Sequence, residues 1–258
     1  STKGKIPEYP ALAAELVRLK VDVIFAASTP AALAASKATS TIPIVFAVVA
    51  EPVGAKLVAS LSKPGGNVTG MTTSNVEIIG KRLAILKEIA GGRATHAAIL
   101  FNPLDASNVL GLRPAEAAAS RLGMTLREFP VKDAEDIERA FLVMKAAKID
   151  SLIVSGGDFT VTHAQKIVEL AAKTGVAAIY GVPDFANLGG LVSYSANFTD
   201  NYRRAAAYVD KIIKGVSPRD LPVEQASQFE FVINMKTAKA MGLAVPQSVL
   251  LQASRVIQ

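Results

Sequence analysis

Hydroxyl, amide and carboxylate side chains recur in this chain at one kind of place, just after an apolar run and just before a helix-forming stretch. The runs read VDVIFAASTPAAL, IPIVFAVVAEPVGA, NVTGMTTSN, AAILFNPLDASN, SLIVSGGDFT and AAIYGVPDF. Ser28, Thr29, Thr72, Thr73, Ser74 and Asn102 stand where a helix would open. A helix N-terminus offers unpaired N–H donors and the positive end of a dipole, which together suit a carboxylate or similar anion. Glu51, Asp105, Asp158 and Asp184 bring carboxylates to the same positions, where one can pair with a ligand ammonium through charge-assisted hydrogen bonds. Asp158 is the sharpest of these, since two glycines precede it in SGGDF and let the backbone approach a ligand closely. Phe159, Phe185, Tyr180, Tyr194, Phe198 and Tyr202 lie near the same ends and can stack on a flat ligand. Helix capping is the plainer account of each hydroxyl and carboxylate taken singly, and core packing the plainer account of each aromatic.

Transforming a ligand asks for more than holding one. Glu51 and Asp158 are of the right type for a general acid and base, but sequence spacing does not fix their separation. His96 and His163 have no companion at metal-ligand spacing, and the chain has no Cys. There is no G-x-S-x-G elbow and no complete phosphate loop. The expectation is a binding site for a small polar molecule, with no catalytic residue, no metal and no cofactor.

The elements that position these residues follow from periodicity. Leu12, Leu16 and Leu19 predict an amphipathic helix over 10–20, followed by a strand over 21–27. Pro30 suits the first turn of the next helix, where its missing N–H costs nothing. Strand 42–49 leads to a helix begun at Pro52, and strand 67–71 to a helix over 77–90 stopped by Gly91-Gly92. A second series starts with strand 95–101. Its helices fall near 106–122, 133–147 and 160–173, with Pro114 marking a late start or a kink, and its strands near 124–129, 149–155, 176–181 and 190–195. A helix over 199–214, a strand near 228–234 and a short helix near 235–242 close the chain. Strands and helices alternating at this spacing predict parallel, right-handed β-α-β units, and two such series predict two lobes with a cleft between them.

Half of the 258 residues are apolar, which supports a real core, and Ala, Val, Leu and Ile suit buried parallel strands. The net charge of +6 is dispersed, with adjacent basic pairs only at Lys81-Arg82 and Arg203-Arg204. Both pairs read as solvated helix faces rather than a nucleic-acid footprint. No apolar run approaches the roughly 18 residues of a membrane span.

The run STIPIVFAVVAEPVGAKLVASLSKPGGNVTGMT, followed by GKRLAILKEI, resembles the ABC-transporter substrate-binding protein family whose best-understood members bind tryptophan or related aromatic amino acids. The resemblance takes in PALAAELVRLKVDVI and AAILFNP, then GGLVSYSANFTDNYRRAAAYVDKIIKG and LPVEQASQFEFVINMKTAKAMGLAVPQSVL, so it covers essentially the whole chain. It implies an α/β type I periplasmic-binding fold, two Rossmann-like lobes joined by three crossovers. Lobe 1 would comprise 1–74 plus 196–222 and lobe 2 would comprise 75–195 plus 223–258. Relatives carry a strand, a helix and a second strand before the segment matching 7–24, so lobe 1 is expected without its first strand. Glu51 stands where relatives commonly have Asp, and its extra methylene shifts any contact made there.

The resemblance further implies an exported, periplasmic, monomeric protein that delivers its ligand to an ABC permease. On these residues, Ser28, Thr29, Thr73 and Ser74 would take a carboxylate from lobe 1, with Glu51 beside them. Asp158 would pair with an ammonium from lobe 2, helped by Asn102 and Asp184, and Phe159, Phe185 or Tyr194 would line the side-chain pocket. Two other readings stand beside it: a ligand-sensing domain of a receptor, and an α/β enzyme using the cleft carboxylates.

Overall fold

In the computed structural model, which describes residues 5–92 and 94–258, the chain alternates strand and helix almost throughout. The first stretch gives α1 (Tyr9–Arg18), β1 (Ile24–Ala26), α2 (Thr29–Ala38), β2 (Ile44–Val49) and β3 (Val68–Thr72). Next come α3 (Asn75–Ile89), β4 (His96–Phe101), α4 (Ala106–Leu110), α5 (Leu112–Arg121), β5 (Thr125–Pro130), α6 (Ala134–Ala146) and β6 (Ser151–Val154). These lead to α7 (Asp158–Thr162), α8 (Ala164–Thr174), β7 (Ala177–Tyr180), α9 (Asp184–Asn187) and β8 (Val192–Ala196). The chain ends with α10 (Phe198–Ile213), β9 (Glu224–Gln225), β10 (Phe229–Asn234), α11 (Met235–Ala240), α12 (Gln247–Leu250) and β11 (Arg255–Ile257).

Two units emerge. Unit 1 holds the described residues up to Asn75 with Asp105–Leu110 and Ala196–Gln228, and unit 2 holds those of Val76–Leu104, Gly111–Ser195 and Phe229–Gln258. The unit 1 sheet runs β1-β2-β3-β9, with every adjacent pair parallel. Its residues alternate between two apolar layers, as a two-residue period requires. Ile24, Ala26, Ile44 and Phe46 pack with Ala32 and Ala35 of α2, while Val45, Ala47 and Met71 pack with Ala205, Tyr208 and Ile212 of α10.

The unit 2 sheet runs β11-β10-β8-β7-β6-β4-β5. Leu83, Leu86 and Ile89 of α3 cover Ile99, Ile153, Ile179 and Ile233 on one face. The pairs from β5 through β8 are parallel, as is β10 with β11. The join between β8 and β10 is not: Asn234 N donates to Leu191 O and Asn197 N donates to Gln228 O, the two strands running in opposite directions. The sheet is therefore mixed where a wholly parallel one is expected.

Other departures have local causes. The segment after Pro52 makes turns rather than a helix, and within it Lys56 (φ +59°) takes a left-handed conformation that a helix cannot continue through. The helix expected over 106–122 is two helices, α4 and α5, and α4 groups with unit 1. Residues 223–228, expected in the second lobe, also group with unit 1, since β9 pairs with β3 and Ala226 N donates to Thr72 O.

Candidate ligand-binding edges

In unit 1 the loops after β1, β2 and β3 meet at the carboxyl ends of their strands. Ser28 is the residue before α2, in extended conformation, and Thr29 opens the helix. The Thr29 hydroxyl accepts a hydrogen bond from Ala50 N at 3.2 Å, which fastens the first loop to the second. Glu51 follows directly, half-buried. Thr73 N donates to Val49 O at 3.0 Å, carrying the β2–β3 pairing one residue past β3. Ser74 then takes φ +50°, and its buried Oγ has no hydrogen-bond partner. A strained backbone and an unsatisfied hydroxyl at one residue each cost free energy. The structure thus brings Thr29, Glu51, Thr73 and Ser74 to adjacent strand ends.

Two features of this edge escape sequence reasoning. Asn197 caps α10 by accepting from Asp200 N at 3.0 Å, and Asn201 one turn on donates from Nδ2 to Ala47 O at 3.2 Å. Phe25, in the middle of β1, lies 6.0 Å from Tyr202 between ring centroids, and both rings are exposed. An aromatic inside an apolar run reads as core, so only the edge position of β1 reveals Phe25.

In unit 2 the corresponding ends carry the other candidates. Asn102 is buried and its Oδ1 accepts from Leu104 N at 2.8 Å, closing the turn after β4. Asp158 is half-buried as the first residue of α7, after Gly157 at φ +155°. Gly156 and Gly181, which follow β6 and β7, touch backbone to backbone: a Cβ on Gly181 would lie 2.8 Å from Gly156 N. Asp184 is exposed at the start of α9. The aromatics divide. Phe159 packs on His163 at 4.6 Å, and Phe185, 1 % exposed, stacks on Tyr180 at 4.7 Å inside the unit. Tyr194 is half-buried and stacks on Phe229 at 5.9 Å and 10°. Phe229, 36 % exposed, is a residue that its place in FEFVIN does not single out.

Arg82 corrects an expectation. It is not on a solvated helix face but 2 % exposed, with Nε donating to Tyr194 O at 2.8 Å. Burial pulls its pKa down to about 10, opposed by the Tyr194 phenol nearby. Burial and the charge of Lys166 lower the His163 pKa below its ordinary value. Among the described residues, no group of three or more His, Cys, Asp or Glu side chains is placed to hold a metal ion, and no helix is long and apolar enough to cross a membrane.

Chemically, unit 1 offers hydroxyls at helix starts and unit 2 a carboxylate beside a glycine-lined turn. The chain is also similar to known proteins. The tyrosine-binding protein of Clostridioides difficile (strain R20291) is 27 % identical over 243 residues, which is 94 % of this chain and 69 % of that protein. A Streptococcus pneumonia ABC domain solved in complex with L-Trp is 26 % identical with a TM-score of 0.92, over 98 % of this chain and 85 % of that one. A conserved domain protein from Vibrio cholerae is 27 % identical with a TM-score of 0.91, over 98 % and 84 % of the two chains. The family model for ABC transporter substrate binding proteins matches residues 3–257. With that match spanning nearly its whole length, the chain belongs to the ABC transporter substrate-binding protein family.

Proposed function

We propose that this protein captures an α-amino acid, or a molecule with the same paired carboxylate and ammonium, delivers it unchanged to an ABC permease, and does no chemistry on it. The observation that carries the reading is Ser74: a buried hydroxyl without a partner, on a left-handed residue beside Thr73 and Glu51. An unsatisfied buried hydroxyl is costly unless a ligand completes it. Ser28, Thr29, Thr73 and Ser74 of unit 1 take the carboxylate. Asp158 of unit 2 takes the ammonium, with Asn102 and Asp184 beside it, and Tyr194 packs on the ligand side chain. A ligand sharing contacts with both units selects the conformation that brings those contacts together, by hinge motion. The relatives named for tyrosine and L-Trp support an aromatic amino acid as the first ligand to test. The protein works as a monomer in the periplasm.

The test is thermal unfolding against amino acids, sugars, nucleosides and organic acids, followed by calorimetric titration of the best ligand into wild type and Asp158→Asn. A ligand at about 100 times its Kd adds roughly 2.7 kcal/mol, or roughly 5–10 °C at this size. Amino acids should shift the midpoint, and Asp158→Asn should weaken them at least about tenfold, the scale of a hydrogen bond to a charged group. A shift from sugars or nucleosides alone would overturn the ligand class. Unchanged affinity in Asp158→Asn would remove Asp158 from the site.

A further inference from the structure

The chain makes three lasting passages between the units: Asn75 to Val76, Ser195 to Ala196, and Gln228 to Phe229. Residues on the unit 2 side of all three converge on Tyr194. Arg82 comes from α3, the helix whose first two residues make the first passage, and donates from Nε to Tyr194 O at 2.8 Å. Tyr194 sits one residue before the last residue that unit 2 holds ahead of the second passage. Its ring stacks on Phe229, the first residue after the third passage, and meets Phe231 edge-on at 5.7 Å. The guanidinium also lies over the end of β7, 3.3 Å from where a Cβ on Gly181 would be.

Unit 1 holds its side of the second and third passages in a similar way. Arg204 of α10 donates to Gln225 O at 3.2 Å and to the Glu224 carboxylate, and Asp200 lies 3.7 Å from it. The Tyr208 hydroxyl donates to Pro222 O at 2.8 Å and contacts Glu224 Oε1 at 2.7 Å. Asn197 N donates to Gln228 O at 2.9 Å, so the strands of the second and third passages stay paired on the unit 1 side as well.

We propose that Arg82, through Tyr194 and Phe229, is a positioning residue that joins the three passages into one mechanical block on the unit 2 side and so sets how far and how freely the units move relative to each other. A guanidinium buried for packing alone would be replaceable by an apolar side chain of similar volume with no effect on motion. A fastener instead limits bending to the few residues between its two ends, and hinges are built from few residues. The inference does not depend on which ligand is bound.

The chain has no Cys, so spin labels at Lys37→Cys in unit 1 and Lys145→Cys in unit 2 report a single distance. That distance distribution would be measured by pulsed electron resonance without ligand, alongside amide exchange at 195–197 and 228–230. Backgrounds would be wild type, Arg82→Met, Arg82→Lys and Phe229→Leu. Arg82→Met and Phe229→Leu should each broaden the distribution and speed exchange at those amides by roughly tenfold while exchange in the sheet cores holds. Arg82→Lys, which keeps the charge and one donor nitrogen, should fall between. Phe229 is half-exposed, so its variant guards against misfolding at the buried arginine. Broadening absent in folded variants would overturn the proposal, as would faster exchange spread evenly through unit 2, which marks a purely structural role.

Discussion

Ser74 concentrates two costs in one residue, a left-handed backbone and a buried hydroxyl without a partner. Glycine relieves the first and deletes the second. Ser74→Gly is therefore expected to hold or raise the melting midpoint of the ligand-free protein while weakening ligand binding by about tenfold or more, the exchange of stability for function seen at strained sites. Parallel unfolding and titration experiments check it, and a Ser74→Gly protein that binds normally would reassign the hydroxyl to the fold. Sequence placed Ser74 before a helix, which capping explains equally well. The missing partner is a property of packing around Oγ, and no local pattern carries it.

At the scale of elements, the sheet of unit 1 depends on an absent side chain. Gly70 pairs with Phe46 at φ +149°, and a Cβ there would stand 2.0 Å from Phe46 O. Gly70→Ala must either force β2 and β3 apart or abandon a conformation reserved for glycine. A loss of about 3 kcal/mol or more is expected, read by denaturant titration, whereas an ordinary surface substitution stays within about 0.5 kcal/mol. The strands themselves were legible: the apolar runs at 42–49 and 67–71 are β2 and β3 to within two residues. The stretch after Pro52 was not, because proline is compatible with a helix start while the left-handed Lys56 that interrupts one is set by the surrounding fold. The two residues of β9 carry too short a pattern to read, and exist because β3 offers them an edge.

For the whole molecule, the titrating groups set a direction. His163 has a lowered folded pKa, so the unfolded chain binds more protons below 6.5 and stability falls as pH drops through that region. Hydrogen bonds from Lys132 N and Arg139 hold the Asp136 carboxyl below its ordinary range, and Lys166 does the same for Glu138. For Glu224, burial pushes upward but the Tyr208 hydroxyl and Arg204 outweigh it. Those three contributions are complete above pH 4.5 and fade as pH falls through the lowered values. Denaturant midpoints at pH 8, 6, 5 and 4 should decline gently below 6.5 and more steeply below 4.5. His163→Gln should flatten only the first decline; if it leaves that decline intact, another group is responsible.

Local chemistry was enough to determine the alternation of strands and helices and the polar residues at the strand ends, while the family was read from a resemblance running along the whole chain. Periodicity and turn residues act over a few positions, and the sequence records them directly. Tertiary structure alone decided which of those residues share a strand edge. It buried Phe185 against Tyr180 and left Tyr194 half-open on Phe229. It also drew Arg82 from an expected solvated face into the interior. For Tyr194 and Arg82 the cause is shared. Burial and hydrogen bonding depend on partners that lie far apart in the chain, as Arg82 is 112 residues from Tyr194, and such partners meet only when the sheets have formed.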